Sequence, residues 1–166
     1  MESIAVWFTN TLGQYVSEEI VIFIISMVPI LELRGGLIAA KLLKVSLLKA
    51  IPICIIGNII PIPFILLFIR QILKWLGKTK LFHGMVQWLE NKAMSKSDRI
   101  RQWEFWGLAL FVGIPLPGTG AWTGSLIAAL LEIDIKKAVV AELVGIAMAT
   151  VIMSIVSYGL LGILIG

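Results

Sequence analysis

Pro115-Leu116-Pro117-Gly118-Thr119-Gly120-Ala121-Trp122-Thr123-Gly124 interrupts an otherwise apolar run from Phe105 to Leu131. A continuous helix does not pass through it. An interior proline costs about 3 kcal/mol and an interior glycine about 1 kcal/mol relative to alanine. The two prolines also remove backbone donors and clash with the preceding turn. The arms on either side, Phe105–Ile114 and Gly120–Leu131, would each rise about 15–18 Å as helix. That is half of a hydrocarbon core about 30 Å thick. Two half-length arms around a break are what a re-entrant hairpin requires, and non-helical backbone is tolerated at that depth only inside protein or along a wet cavity.

The same pattern occurs earlier in the chain. Ile20–Leu43 is interrupted by Pro29, Glu32, Arg34, Gly35 and Gly36, with arms Ile20–Pro29 and Leu33–Leu43. The other two apolar segments, Leu47–Ile69 and Ile135–Ile165, are long enough to span a bilayer. Pro61 and Pro63 should kink or end the first of these, and Gly159 and Gly162 should loosen the end of the second. Sliding the sequence by 88 residues pairs Phe23 with Phe111, Pro29 with Pro117, Gly36 with Gly124, Lys49-Ala50 with Lys137-Ala138 and Gly57 with Gly145. Ser46 meets Asp134, and both are good N-caps for the helix that follows. An internal repeat follows from this coincidence of breaks and caps.

The chain has 166 residues, of which 59% are hydrophobic and 14% charged, with mean hydropathy +1.00. A soluble domain of this size carries about 25% charged residues. Lipid must therefore replace water around most of the fold. The expected architecture is an all-α integral membrane protein of one domain. It has two inverted repeats, each a re-entrant hairpin plus a transmembrane helix, with interfacial amphipathic helices. The boundaries are 1–19 for an interfacial helix, 20–70 for the first repeat, 71–104 for a basic cytoplasmic or interfacial linker, and 105–166 for the second repeat. Residues 1–19 hold Glu2, Glu18 and Glu19 and no Lys or Arg, unlike a secretory signal.

The linker carries Arg70, Lys74, Lys78, Lys80, Lys92, Lys96, Arg99 and Arg101 against Glu90, Asp98 and Glu104. The positive-inside rule places it in the cytoplasm, on a multi-pass protein of the inner (plasma) membrane. Its charge reads as a topology signal at anionic headgroups, not as a nucleic-acid surface. If each repeat crosses the membrane once, both termini lie opposite this linker. If all four segments span, the termini share its side.

Glu32 and Arg34 are the sharpest chemical signal. Ionisable groups at membrane depth normally face a cavity or a partner and mark a functional path. Arg34 stays charged at any physiological pH and suits an anion such as a phosphate or carboxylate. Glu32 can change charge, with burial and the neighbouring guanidinium pulling in opposite directions. The alternative is that the two pair and simply hold the fold. At the second break, Gly118 and Gly120 let backbone amides turn toward a ligand, and the helix beginning near Gly120 offers a positive dipole end. Thr119, Thr123 and Ser125 add hydroxyls, and Trp122 would close one side of a pocket. Close packing of two hairpin tips is the competing reading. Asn58 is either a substrate contact or interhelical glue. Glu142, two turns into the last span, is a second candidate proton carrier.

Cys54, the one cysteine, sits in an apolar run and suits a small buried position. There is no ligand-like cluster of His, Cys and carboxylates, so no metal or other cofactor is expected. No hydrolase, kinase or redox motif appears, and Gly118-Thr119-Gly120 is not followed by the Gly-Lys-Ser/Thr of a P-loop. An enzyme is not expected.

Glu32-Leu33-Arg34-Gly35-Gly36, followed by Pro115 to Gly124 as quoted, resembles the small multidrug export protein family of prokaryotes, from about Ile20 to the C-terminus. That family looks distantly similar to the DedA (VTT-type) membrane proteins, in which paired re-entrant hairpins face each other. Members of that wider group are implicated in proton-dependent movement of lipid phosphates. The resemblance implies transport, with Glu32 and Arg34 at one hairpin tip and the Pro-Gly motif at the other. This chain lacks the acid- and arginine-rich second hairpin of a DedA protein.

The expected function is that of a small proton-coupled transporter. It would move an anionic solute or lipid phosphate by alternating access at a midplane site between the hairpins. Arg34, Gly118, Thr119, Gly120, Trp122, Thr123 and Asn58 would bind substrate, and Glu32 and Glu142 would couple protons. Its partners would be membrane lipids, the small-molecule or lipid-phosphate substrate, protons and, given its size, a second copy in a homodimer. One alternative is export of cationic or amphipathic drugs, with Glu32 and Glu142 as ligands. Another is a non-transporting membrane scaffold with the basic linker as docking surface.

Overall fold

A computed structural model describes residues 16–78 and 104–160, together with positions 84, 87 and 91. Most of the expected interfacial helix and most of the basic linker lie outside the described residues. All regular structure among the described residues is helical: α1 Glu18–Met27, α2 Glu32–Leu42, α3 Leu47–Ile59, α4 Pro61–Gly77, α5 Glu104–Gly113, α6 Ala121–Leu130 and α7 Ile135–Ser154, which runs on into a π-helical turn, Ile155–Leu160. The chain divides into two compact units. The first is Met1–Asn58 with Thr150–Gly166, and the second is Ile59–Ala149.

In the first unit, α1 starts where Ser17 accepts a hydrogen bond from the Ile20 N–H, with Glu18 and Glu19 in the first turn, where the helix dipole favours negative charge. It stops because Val28 precedes Pro29 and is forced into extended backbone (φ −73, ψ 132). Four residues later α2 begins, and it packs against α1. The expected break therefore lies at 28–31. It is reached through two non-glycine residues in left-handed backbone, Ile30 (φ 79) and Glu32 (φ 50). At the far end of α2, Lys44 adopts φ 60 and the Val45 N–H donates back to the Ala40 carbonyl at 2.9 Å. This is the 6→1 closure of a left-handed C-cap.

Small residues let α3 approach the α1–α2 pair. A Cβ added to Gly36 would overlap the Ser26 hydroxyl and stand 2.9 Å from Cys54 Sγ. One added to Gly57 would stand 2.8 Å from the Phe23 carbonyl oxygen. Close backbone approach of this kind is how helices associate where no hydrophobic force acts between them. Ser26 turns its hydroxyl onto the Ile22 carbonyl at 2.8 Å, so its buried oxygen is satisfied within its own helix. Pro52 lies inside α3.

In the second unit, α5 ends at Gly113, and the chain crosses 114–120 before α6 starts. This break also falls where the prolines and glycines predicted it. Glu132 adopts φ 61 at the end of α6, and the Ile133 N–H donates to the Ala128 carbonyl at 3.0 Å. Asp134 then caps α7 by accepting from the Lys137 N–H at 3.1 Å. A Cβ on Gly145 would stand 2.7 Å from the Ala109 carbonyl oxygen, and one on Gly124 would stand 2.7 Å from Val112 Cγ2. Ile127 is buried among Phe111, Leu130, Leu131 and Ile133. Helix α4 packs against α6.

Two helical runs are long and apolar enough to cross a membrane, Leu47–Ile69 and Ile135–Gly159. Pro61 does not end the first of them. Helix α3 yields at Ile60 and α4 resumes with Pro61 at its first position, where a proline lacks nothing the helix needs. It then continues to Gly77. Large apolar side chains along these runs face outward, among them Leu48 (87% exposed), Phe64 and Val151.

Candidate functional site

Glu32 and Arg34 both fall in the first turn of α2, directly after the break. Glu32 is 4% exposed, while Arg34 is half-buried and within electrostatic reach of the Glu32 carboxylate. Two residues apart on a straight helix they would diverge. Glu32, at the first position of α2, has left-handed φ (50), and its carboxylate still acts on Arg34. The Glu32 N–H donates to the Val28 carbonyl at 3.0 Å and the Gly35 N–H to the Leu31 carbonyl at 2.7 Å, which pins the break to the helix.

The second break holds no charge. Its architect is Thr119. The Thr119 hydroxyl accepts from the Leu116 N–H at 3.2 Å and lies 2.9 Å from the Ile114 carbonyl oxygen and 2.8 Å from that of Leu116. The hydroxyl therefore ties the loop to itself. Gly118 (φ 75) and Gly120 (φ 134) supply backbone that side chains rarely adopt. Gly118 is exposed, with open space where a Cβ would stand. Gly120 is buried and stands at the N-cap of α6 with no side chain to cap it. Trp122 and Thr123 are partly exposed in the first turn of α6.

Glu142 is fully buried on α7 and accepts a hydrogen bond of 3.0 Å from the hydroxyl of Ser125, itself fully buried on α6. An acid inside a span this apolar is costly unless something holds it. Ser125 stood in the sequence as one hydroxyl among several. Its pairing with a residue 17 positions away becomes visible only once α6 and α7 are packed, with Gly124 leaving room for the carboxyl. Asn58 is buried at 3% exposure, and its Oδ1 has no hydrogen-bond partner among the described residues. The described residues contain no group of three or more His, Cys, Asp or Glu arranged to hold a metal.

Charged and amide groups are thus built into apolar helices around two breaks. Residues 32–152 match the sequence profile of a family described as "Putative small multi-drug export protein". The chain belongs to that family. No curated protein and no solved structure matches it. The small multi-drug export match begins at Glu32, directly after the first break, and takes in Arg34, the second break, Ser125 and Glu142. Together with the two spanning-length helices, it makes the chain a helical membrane protein of an export family.

Proposed function

We propose that the protein is a proton-coupled transporter of anionic solutes or lipid phosphates, working by alternating access. The observation that carries this reading is two buried carboxyls in so apolar a chain, Glu32 directly after the first break and Glu142 within a helix of spanning length. In this reading Arg34 and the amides of 118–120 are anion-binding groups, Trp122, Thr123 and Asn58 are substrate contacts, and Glu32 couples transport to protons by changing charge. Helix N-termini at discontinuous helices commonly face anionic groups in transporters.

The fold this requires is two inverted repeats, each with a re-entrant hairpin. Several like-for-like features support a repeat. The left-handed Lys44 (φ 60) answers Glu132 (φ 61), and the Val45-to-Ala40 hydrogen bond answers that of Ile133 to Ala128, all at the offset of 88 residues. Gly57 and Gly145 each lie under a main-chain carbonyl of the first arm of their own unit. Inversion is a separate matter. It predicts that tags on the two termini react from the side opposite the basic linker, and termini on the linker's side would remove it.

The test of function is thermal stabilisation of the purified protein across polyprenyl phosphate, small anions and organic cations, followed by flux in proteoliposomes. Arg34→Ala should abolish anion flux in a protein that still inserts. Full flux in that variant ends the anion-site reading. The family description favours a second reading, export of cationic or amphipathic compounds, with Glu32 and Glu142 as ligands and Arg34 structural. Competition between lipid phosphates and organic cations separates the two.

A further inference from the structure

Gly36 and Gly124 occupy matching places in the two units, each on the second arm after a break. Each has one side chain of the following long helix seated against it. In the first unit this is Cys54, with Sγ 2.9 Å from the position of a Gly36 Cβ. In the second it is Glu142, with Oε1 3.7 Å from the position of a Gly124 Cβ. Cys54 and Glu142 stand at the same offset as the two glycines. A seat that takes a small neutral thiol in one unit holds a carboxyl in the other.

The hydroxyl beside the seat differs as well. In the first unit it belongs to Ser26 on the first arm, which the second unit replaces with Val112 against Gly124. In the second unit it belongs to Ser125 on the second arm, and it is donated to Glu142 Oε2 at 3.0 Å. Packing alone does not call for this arrangement, because the first unit closes the same seat without a charge. Burying a carboxyl and then supplying a donor for it is a feature to be explained by chemistry.

We propose that Glu142 is the proton-loading group at this seat of the second unit, that Ser125 is its positioning residue, and that Cys54 marks the corresponding proton-silent seat of the first. The carboxylate takes up one proton, becomes a neutral carboxylic acid and returns to the carboxylate when that proton leaves. No other bond changes. Helix α6 and the loop 114–120 have no titratable side chain. Glu104 of α5 is exposed and paired with Lys137, and Lys136 is exposed. Helix α4 has Arg70 and Lys74 in its second half. The assignment rests on the transport reading for its consequence, but proton binding is measurable without any cargo.

The experiment is an infrared pH titration of the full chain reconstituted in phosphatidylcholine vesicles, following the C=O stretch of protonated carboxyls. Among the bands of the ten side-chain carboxyls, we expect one component that grows as pH falls, is lost in Glu142→Gln and persists in Cys54→Ala. In Ser125→Ala the carboxyl remains but loses its donor, so the band should stay and move to higher frequency. A full band in Glu142→Gln overturns the assignment of the proton. An unmoved band in Ser125→Ala overturns the positioning role, and it does so even if Glu142→Gln fails to assemble. In the same vesicles, lack of any ethidium or polyprenyl phosphate flux by the wild-type protein, with the band intact, would count against the transport reading and leave the proton site standing.

Discussion

Tyr158 donates its hydroxyl to the main-chain oxygen of Val45 at 2.7 Å, although 113 positions separate them. The bond ties the π-helical turn after α7 to the connection between α2 and α3. Lys41 lies over the same ring, 5.9 Å from its centroid. Tyr158→Phe keeps the ring face under the ammonium and removes only the hydrogen bond. A typical net value of about 0.5–1.5 kcal/mol should be lost. Thermal unfolding in detergent reads it directly. Unchanged stability would mean that the Val45 carbonyl finds water or another donor at no cost.

Glycine contacts against a side chain and against a backbone should respond differently to the same extra methyl group. Gly36→Ala drives a Cβ into the Ser26 hydroxyl, whereas Gly145→Ala drives one to within 2.7 Å of the Ala109 carbonyl oxygen. Overpacking typically costs about 1–3 kcal/mol. Both single variants should fall in that range. Adding Ser26→Ala should recover part of the loss at Gly36, because the overlapping oxygen is gone while Cys54 Sγ remains 2.9 Å away. The same addition should do nothing for Gly145→Ala. Equal behaviour of the two double variants would contradict the packing described here.

Much of this was legible from residue types alone. Pro29 and Pro115–Gly124 placed the two breaks because proline and glycine act on the local backbone, whatever the tertiary setting. The cap at Asp134 is local in the same sense, and Ser46 stands at the matching position before α3. The register of the first arms was not legible. The offset of 88 pairs Phe23 with Phe111, yet Gly57 lies under the Phe23 carbonyl and Gly145 under that of Ala109. The second break is longer, which slides its first arm by two residues, and loop length is invisible to an ungapped comparison of apolar sequences. The Ser125–Glu142 pair was hidden for another reason. Each residue has an ordinary explanation alone, and only helix packing brings them within 3.0 Å.

Lys137 and Glu104 form an ion pair on the outside of the second unit, each side chain a little under half exposed. Pairs of this kind are worth about 0.2–1 kcal/mol because solvent screens the attraction and both side chains lose freedom. Lys137→Ala should therefore cost little, and the difference from wild type should shrink as salt is raised. A loss well above that range, insensitive to salt, would show that the pair is sheltered by lipid headgroups or by another chain.

The first break stores strain at Ile30, a β-branched residue at φ 79 whose side chain is 94% exposed. Left-handed backbone costs a residue bearing a Cβ about 1–2 kcal/mol. Glycine there would relieve that cost and add back about 0.5–1 kcal/mol through the freedom of the unfolded chain. The expected result for Ile30→Gly is a gain of up to about 1 kcal/mol in thermal unfolding, because the chain loses no contact when so exposed a side chain is removed. Strain of this kind persists where the surroundings over-determine the backbone, and it often accompanies function. Flux should be measured on the same variant. A more stable protein with slower flux would tie the tension at the tip to Glu32 and Arg34. A clear loss of stability would instead mean that the Ile30 side chain is buried against lipid or a second copy of the chain.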